Sequence, residues 1–168
     1  MRFAIIDLGT NTFKLLIVES TDGNATIIFK NKLPVKLGEG GLNENIIAPS
    51  AYARGINALI EHQKIINEYA CQKTFTFATS GLRSTKNASD FILEAKQNIG
   101  LDINVISGNQ EAQYIYAGVK KAINITNDPV TLYLPAKNKK LGNKAENGHT
   151  YGTGNFSMLP MNDWGDEQ

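Results

Sequence analysis

Hydrophobic and polar positions follow two kinds of spacing along the first 123 residues. Short apolar runs bounded by turn residues predict β-strands; they lie at residues 2–8, 13–19, 25–33, 74–79 and 103–106. Apolar residues recurring every three or four positions predict helices; they lie at residues 49–70, 87–99 and 112–123. The order β-β-β-α-β-α-β-α predicts an α/β fold. We expect a mixed sheet of about five strands whose later strands are parallel and covered by helices.

Turn and cap residues mark several boundaries of these elements. The four residues at 9–12 separate the first two strands and predict a hairpin, and the glycine-rich segment 38–41 predicts a flexible loop. Pro49 suits the first turn of a helix. Asn87 could cap the next helix, and Gly100 would end it.

Composition changes near residue 123. Residues 1–123 contain 21 of the Ile and Val residues, whereas residues 124–168 contain two, together with seven Asn, five Gly and three Pro. β-Branched residues build sheet cores, and Asn, Gly and Pro mark turns. The sequence therefore predicts one packed domain over 1–123 and a divergent, loop-rich tail over 124–168.

The charge balance and the rarer residue types exclude several classes of protein. With 17 basic and 16 acidic residues the formal net charge is +1, so no basic face is available for nucleic acid or a membrane surface. The longest aliphatic run, residues 15–18, is too short for a membrane span. Cys71 is the only cysteine, which excludes an intrachain disulfide, and we expect a cytoplasmic protein. His62 falls at an exposed helical position, and neither it nor His149 has a partner at metal-ligand spacing.

The segment at residues 7–12 (DLGTNT) is the first candidate for chemistry. A glycine-containing turn can point successive backbone N–H groups into one concavity, where hydroxyl and amide side chains add donors to phosphate oxygens. Asp7, at the end of the first strand, is placed to hold a hydrated Mg²⁺ against those oxygens. An ordinary hairpin turn, in which Asp and Asn satisfy their own backbone groups, explains the same residues at least equally well.

Two further segments lie where α/β proteins place ligand-binding residues. Residues 78–83 (ATSGLR) follow a strand, and Arg83 could form two hydrogen bonds to one phosphate; a surface arginine is the simpler explanation. Residues 107–112 (SGNQEA) begin the last helix. There the positive end of the helix would keep Glu111 ionised and able to activate a water, although a glutamate that only stabilises the helix dipole is the simpler explanation.

Taken together, four segments resemble the exopolyphosphatase and guanosine pentaphosphate phosphohydrolase (Ppx/GppA phosphatase) family in residue type and spacing. They are residues 7–16 (DLGTNTFKLL), 37–42 (LGEGGL), 78–83 (ATSGLR) and 107–112 (SGNQEA). The resemblance implies the N-terminal lobe of the actin, Hsp70 and sugar-kinase superfamily, with a ribonuclease-H-like mixed sheet. It also implies Mg²⁺-dependent release of terminal phosphate from inorganic polyphosphate or guanosine pentaphosphate.

The resemblance further implies roles for individual residues. Carried over by position, Asp7 would be the metal-proximal carboxylate, and Glu111 would be the catalytic carboxylate that activates the attacking water. Phosphate binding would be shared by the first turn and the arginine after the fourth strand, which are Gly9, Thr10, Asn11, Thr12 and Arg83.

The sequence also departs from the family pattern. Gln110 replaces an acidic residue and Gln113 replaces an arginine. After Ile123 there is no Asp-x-Gly-Gly-Gly-Ser segment for a second phosphate loop; a truncated chain, a frameshifted gene or a short paralogue would each produce this pattern. Because the active site of this superfamily is the cleft between two lobes, one lobe supplies one wall. We therefore expect weak or no activity from this chain by itself.

Two functions follow from these features. One is a hydrolase of exopolyphosphatase type, and the other is a non-catalytic phosphate- or nucleotide-binding module derived from the same lobe. An ATP-dependent kinase would need an adenosine-binding segment, which this sequence does not resemble. The expected partners are polyphosphate or guanosine pentaphosphate, with no nucleic acid and no membrane. An inter-lobe surface exposed on a single lobe could drive association, so a homodimer is left open.

Overall fold

The computed structural model describes residues 1–122, and the chain divides into two compact units, Met1–Ser107 and a unit that begins at Gly108. The predicted tail at 124–168 and its boundary after residue 123 lie outside the described residues. The strands are β1 (Arg2–Leu8), β2 (Thr12–Thr21), β3 (Asn24–Pro34), β4 (Lys73–Ala78) and β5 (Ile103–Val105). The helices are α1 (Pro49–Glu68), α2 (Ser80–Arg83), α3 (Ala88–Glu94) and α4 (Gly108–Ala122).

The five strands form one mixed sheet in the order β3-β2-β1-β4-β5. β1, β2 and β3 pair antiparallel, whereas β4 pairs parallel to both β1 and β5. The antiparallel pairs are joined by short turns, and the parallel pairs are joined through helices, as their geometry requires. The predicted mixed five-stranded α/β fold is confirmed.

Alternate residues of the two central hairpin strands form the core of the first unit. On β1 and β2 the fully buried positions share one face of the sheet; they are Ala4, Ile6, Leu8, Phe13, Leu15 and Ile17. They pack in a single cluster with residues of α1 and α3, including Leu59 and Phe91. Within residues 1–122 no helix has the length and apolar character of a membrane span.

Helix α1 begins at Pro49, as predicted, because proline is favoured in a first helical turn. Its buried residues repeat every three or four positions; they are Ala51, Gly55, Ala58, Leu59, His62 and Ile66. His62 belongs to this stripe and is 0% exposed. The prediction that His62 lies at an exposed position is therefore wrong, because the glycine and alanines on this face let α1 approach its neighbours closely.

Asn87 immediately precedes α3 but forms no side-chain cap. Its amide oxygen instead accepts a hydrogen bond from the Ile47 N–H at 2.8 Å, and its amide nitrogen donates to the Ile47 carbonyl at 3.0 Å. The capping prediction is wrong because a distant backbone segment satisfies both ends of the amide. A π-helical segment, Ala95–Ile99, continues α3, and Gly100 ends it with a φ of 81°, which confirms the predicted stop.

The glycine-rich segment 38–41, predicted to be a flexible loop, has specific contacts. The Arg54 guanidinium of α1 forms an ion pair with Glu39 at 2.6 Å. The Gly41 carbonyl accepts hydrogen bonds from the N–H groups of Glu44 and Ile46 at 3.2 and 3.1 Å. A Cβ atom at Gly41 would overlap the Ile46 carbonyl, so the glycine permits a close backbone contact.

Candidate functional site

The predicted site segments of the first unit emerge at one edge of the sheet. Because β1, β4 and β5 run parallel, their carboxyl ends meet there, with Leu8 beside Ala78 and Ala78 beside Val105. The antiparallel neighbours reach the same edge, since Thr12 at the start of β2 pairs with Pro34 at the end of β3. The β1–β2 turn, helix α2 and the segment after β3 therefore share the edge where α/β folds bind ligands.

The turn between β1 and β2 is closed by a hydrogen bond from the Gly9 N–H to the Thr12 carbonyl at 3.1 Å. This bond occupies the Gly9 N–H, which a phosphate nest would otherwise use. Within the described residues the backbone N–H groups of Thr10 and Asn11 donate to no acceptor. The donors that this turn offers to an anion are therefore those two N–H groups and the side chains around them.

The turn contacts the segment that follows β4. The Thr10 and Ser80 hydroxyl oxygens lie 3.3 Å apart, and Ser80 is a neighbour that was not among the predicted site residues. A Cβ atom on Gly81 would lie 3.0 Å from the Thr10 Cα, so glycine at this position lets the two backbones approach. The structure thus brings two of the predicted phosphate-binding segments into direct contact.

Arg83 lies at the end of α2 and is exposed, but part of its guanidinium is engaged. Nη1 donates to the Ile106 carbonyl at 3.0 Å, which ties α2 to the end of the β5 region. Because a guanidinium carries five N–H donors, this single bond leaves others for an anion.

Asp7 lies on the face of the sheet opposite the core, since its neighbours Ile6 and Leu8 point inward. Its Oδ2 lies 3.1 Å from Lys14 Nζ, and both side chains are about half exposed, at 44% and 56%. Lys14 is the residue opposite Asp7 in the β1–β2 register, so counting outward from the four-residue turn would have found this partner. The carboxylate is accessible and already faces a cation.

Other candidate chemistry is limited in the described part of the chain. No group of three or more His, Cys, Asp or Glu side chains is placed to hold a metal there. Burial raises the pKa of the Cys71 thiol, which keeps it protonated and a poor nucleophile at neutral pH. Burial lowers the pKa of His62, and that side chain lies inside the core.

Glu111 lies in the first turn of α4 and is half-buried. It belongs to the unit that begins at Gly108, whereas Asp7, Arg83 and the turn residues 9–12 belong to the first unit. The catalytic role implied for Glu111 stays a prediction.

Comparisons with known proteins identify a family. Residues 16–132 match the model of the Ppx/GppA phosphatase family. The guanosine-5′-triphosphate,3′-diphosphate pyrophosphatase of Vibrio cholerae serotype O1 is 36% identical over 117 residues. That alignment covers 70% of this chain and 24% of the relative, so the chain spans about a quarter of that protein's length.

Solved structures of Ppx/GppA family proteins resemble this chain in fold. The exopolyphosphatase from Cytophaga hutchinsonii matches with a TM-score of 0.74 at 32% identity, over 77% of this chain and 41% of that one. The Aquifex aeolicus member of the Ppx/GppA family matches with a TM-score of 0.71 at 30% identity, over 74% and 41% of the two chains. The family model covers more than half of this chain, and the fold agrees with solved members. The chain therefore belongs to the Ppx/GppA phosphatase family.

Proposed function

We propose that this chain is a phosphoanhydride hydrolase of exopolyphosphatase type, in which residues 1–123 form the N-terminal lobe. It would release terminal phosphate from inorganic polyphosphate or guanosine pentaphosphate. The observation that carries the proposal is the contact of Thr10 with Ser80 and Gly81, which joins two segments predicted to bind phosphate in a member of this family. The substrates are those of the relatives, named as an exopolyphosphatase and a guanosine pentaphosphate pyrophosphatase.

The residues of the first unit would bind and orient the terminal phosphate. The N–H groups of Thr10 and Asn11 and the hydroxyl of Thr12 are donors to its oxygens, and Arg83 adds a guanidinium with unused N–H groups. Fixed donors stabilise the charge that develops on phosphoryl oxygens without reorganising during the reaction. Glu111 would accept the proton of the attacking water, as an ionised carboxylate at a helix start can do.

The residues present fit a magnesium ion. Mg²⁺ keeps several waters and is usually bound by one or two carboxylates together with substrate phosphates, so an isolated carboxylate suffices on the protein side. Asp7 is accessible and lies in the strand that leads into the turn. When bound, the ion would neutralise charge on the phosphate oxygens, and Asp7 would hold it after separating from Lys14.

Phosphate release by the purified chain tests the proposal. With Mg²⁺, we expect slow release from polyphosphate or guanosine pentaphosphate, because a single lobe supplies one wall of the cleft, and still less release from ATP. Glu111→Gln should lower turnover by ~10²–10⁴-fold with little change in binding, because it removes a general base while keeping the side chain's size. A colorimetric phosphate assay with each substrate measures both effects.

Glu68→Gln, on an exposed glutamate at the end of α1, is the matched control and should keep full turnover. Equal turnover of Glu111→Gln and wild type would contradict the role of Glu111. Binding of polyphosphate without release by the wild-type chain would instead assign a non-catalytic phosphate-binding module.

A further inference from the structure

A pocket of about 510 Å³ lies beside the β1–β2 turn in the first unit. One wall is formed by turn residues 10–12, and the other by residues of the segment 34–39, including Lys36 and Glu39. We call it the turn pocket. The turn pocket opens widely to solvent.

Backbone hydrogen bonds fix the two walls of the turn pocket relative to each other. The N–H groups of Val35 and Lys36 donate to the Asn11 carbonyl at 2.9 and 3.0 Å, and the Leu37 N–H donates to the Thr10 carbonyl at 2.7 Å. From α1, Arg54 donates to the Val35 carbonyl at 2.9 Å and to the Lys36 carbonyl at 3.3 Å. These bonds hold the two walls at fixed positions, which lowers the entropic cost of binding a ligand between them.

The charges around the turn pocket do not cancel. Glu39 is paired with Arg54, whose Nη2 lies 2.6 Å from the carboxylate. Lys36 is exposed and has neither an ion-pair nor a hydrogen-bond partner for its ammonium group among residues 1–122. Its backbone is held on both sides, by Asn11 and by Arg54. The pocket thus presents one positive charge without an acidic partner, that of Lys36, and the backbone that carries it is held in place.

We propose that the turn pocket is an accessory anion subsite that binds phosphate groups beyond the terminal one, with Lys36 as its cationic residue. This proposal rests on the proposed function. The pocket shares residues 10–12 with the turn that would hold the terminal phosphate, so a linear chain of phosphates starting there can continue into it. A lysine ammonium is a point charge that can donate hydrogen bonds to phosphate oxygens in several directions, as a variable-length chain requires.

Binding of inorganic tripolyphosphate and orthophosphate to the full chain tests the subsite, measured by calorimetry in EDTA so that binding is separated from turnover. Lys36 has a φ of 50°, a left-handed conformation that asparagine tolerates. Lys36→Asn therefore removes the charge without adding backbone strain. We expect roughly tenfold or greater weakening for tripolyphosphate, as for loss of a charged hydrogen bond, and less than about twofold change for orthophosphate.

Two further variants make this result specific. Lys36→Arg keeps the charge and should restore tripolyphosphate affinity. Lys64→Asn removes an exposed lysine of α1 outside the pocket and should leave tripolyphosphate affinity unchanged. Equal weakening by Lys36→Asn and Lys64→Asn would overturn the subsite, since it would show only a general charge effect. So would an unchanged affinity in Lys36→Asn or a failure of the wild-type chain to bind tripolyphosphate.

The phosphate-release assay separates this proposal from the proposed function. If the chain releases phosphate but its affinity for tripolyphosphate does not depend on Lys36, the subsite proposal is overturned and the hydrolase proposal stands. Affinity that depends on Lys36 in a chain that releases no phosphate would overturn the hydrolase and support the anion subsite.

Discussion

At the scale of single residues, several side chains and glycines determine how closely segments approach. Gly81 admits the Thr10 backbone, and the hydroxyls of Thr10 and Ser80 lie 3.3 Å apart across that contact. Asn87 holds Ile47 by two hydrogen bonds. Each of these contacts joins residues at least 40 positions apart in the chain, so sequence spacing alone does not reveal them.

His62 makes stability depend on pH. The ring is fully buried, and neither nitrogen has a hydrogen-bond partner among the described residues. Burial lowers its pKa below the ordinary value of about 6.5, so below that pH the unfolded chain binds a proton that the folded chain does not. Stability should therefore be unaffected by His62 above about pH 6.5 and fall below it, with a slope of at most about 1.4 kcal/mol per pH unit.

Urea unfolding at several pH values between 5 and 8, compared for wild type and His62→Leu, measures this effect. The variant should lose the part of the acid slope that His62 causes, whatever its absolute stability. Parallel pH profiles of wild type and His62→Leu would show that His62 does not cause the dependence.

At the scale of elements, helix α1 packs closely because glycine and alanine lie on its buried face. A Cβ atom on Gly55 would lie 2.8 Å from the Phe91 ring and 3.2 Å from Leu37. Phe91 is itself 0% exposed and contacts the rings of Phe13 and Tyr52, so it has little room to move. The stability of α1 in this position therefore depends on a residue with poor helix propensity.

Gly55→Ala should destabilise the protein by up to about 2 kcal/mol net, because overpacking costs about 1–3 kcal/mol and the better helix propensity of alanine returns about 1 kcal/mol. Gly118→Ala in α4 is the matched control, because no atom of residues 1–122, beyond its chain neighbours and the adjacent helix backbone, lies within 4 Å of the position its Cβ would occupy. That variant should gain about 0.5–1 kcal/mol. Denaturant unfolding measures both changes, and stabilisation by Gly55→Ala would contradict the packing argument.

The strands and helices themselves follow from local pattern. β1 spans the predicted residues, and the other strands differ from prediction by two residues or fewer at each end. Helix α2, by contrast, is a single turn after β4 that carries no apolar periodicity of its own. Its position depends on the contact between the Thr10 and Ser80 hydroxyls and on the hydrogen bond from Arg83 to the Ile106 carbonyl. Both are tertiary contacts, which local sequence pattern does not predict.

At the scale of the whole molecule, the first unit gathers the residues predicted to bind phosphate at one sheet edge, while Glu111 belongs to the unit that begins at Gly108. The relatives with known structure are longer, and this chain covers about two fifths of them, 41% in both cases. Ligand binding to the first unit can be measured without turnover. The thermal stability of the protein reports it, because a ligand that binds the folded state stabilises that state.

Ligand binding should raise the melting temperature in two separable steps. Tripolyphosphate alone should stabilise through the turn and the turn pocket, and Mg²⁺ should add an increment through Asp7. At a ligand concentration of about 100 Kd the stabilisation is about 2.7 kcal/mol, which corresponds to several degrees for a chain of this size. Asp7→Asn should keep the first step and lose the second.

Asp102→Asn controls for general loss of charge. Asp102 is an exposed carboxylate that pairs with Lys96 at 3.1 Å, the same distance as in the Asp7–Lys14 pair. Differential scanning fluorimetry with and without Mg²⁺ measures the increments. An Mg²⁺ increment that persists in Asp7→Asn would remove Asp7 from the metal site.

The sequence by itself determined the strands, the main helices, the mixed α/β fold and the segments that mark the family, because these depend on short-range periodicity and turn residues. It also pointed to Asp7 and Arg83 as candidates. Only the tertiary structure decided that His62 is buried, that Asn87 binds Ile47, and that the segment around Lys36 lies beside the turn. These features depend on which distant segments of the chain pack together at a sheet edge or on a helix face. That packing determines which side chains are buried and which hydrogen bonds they form.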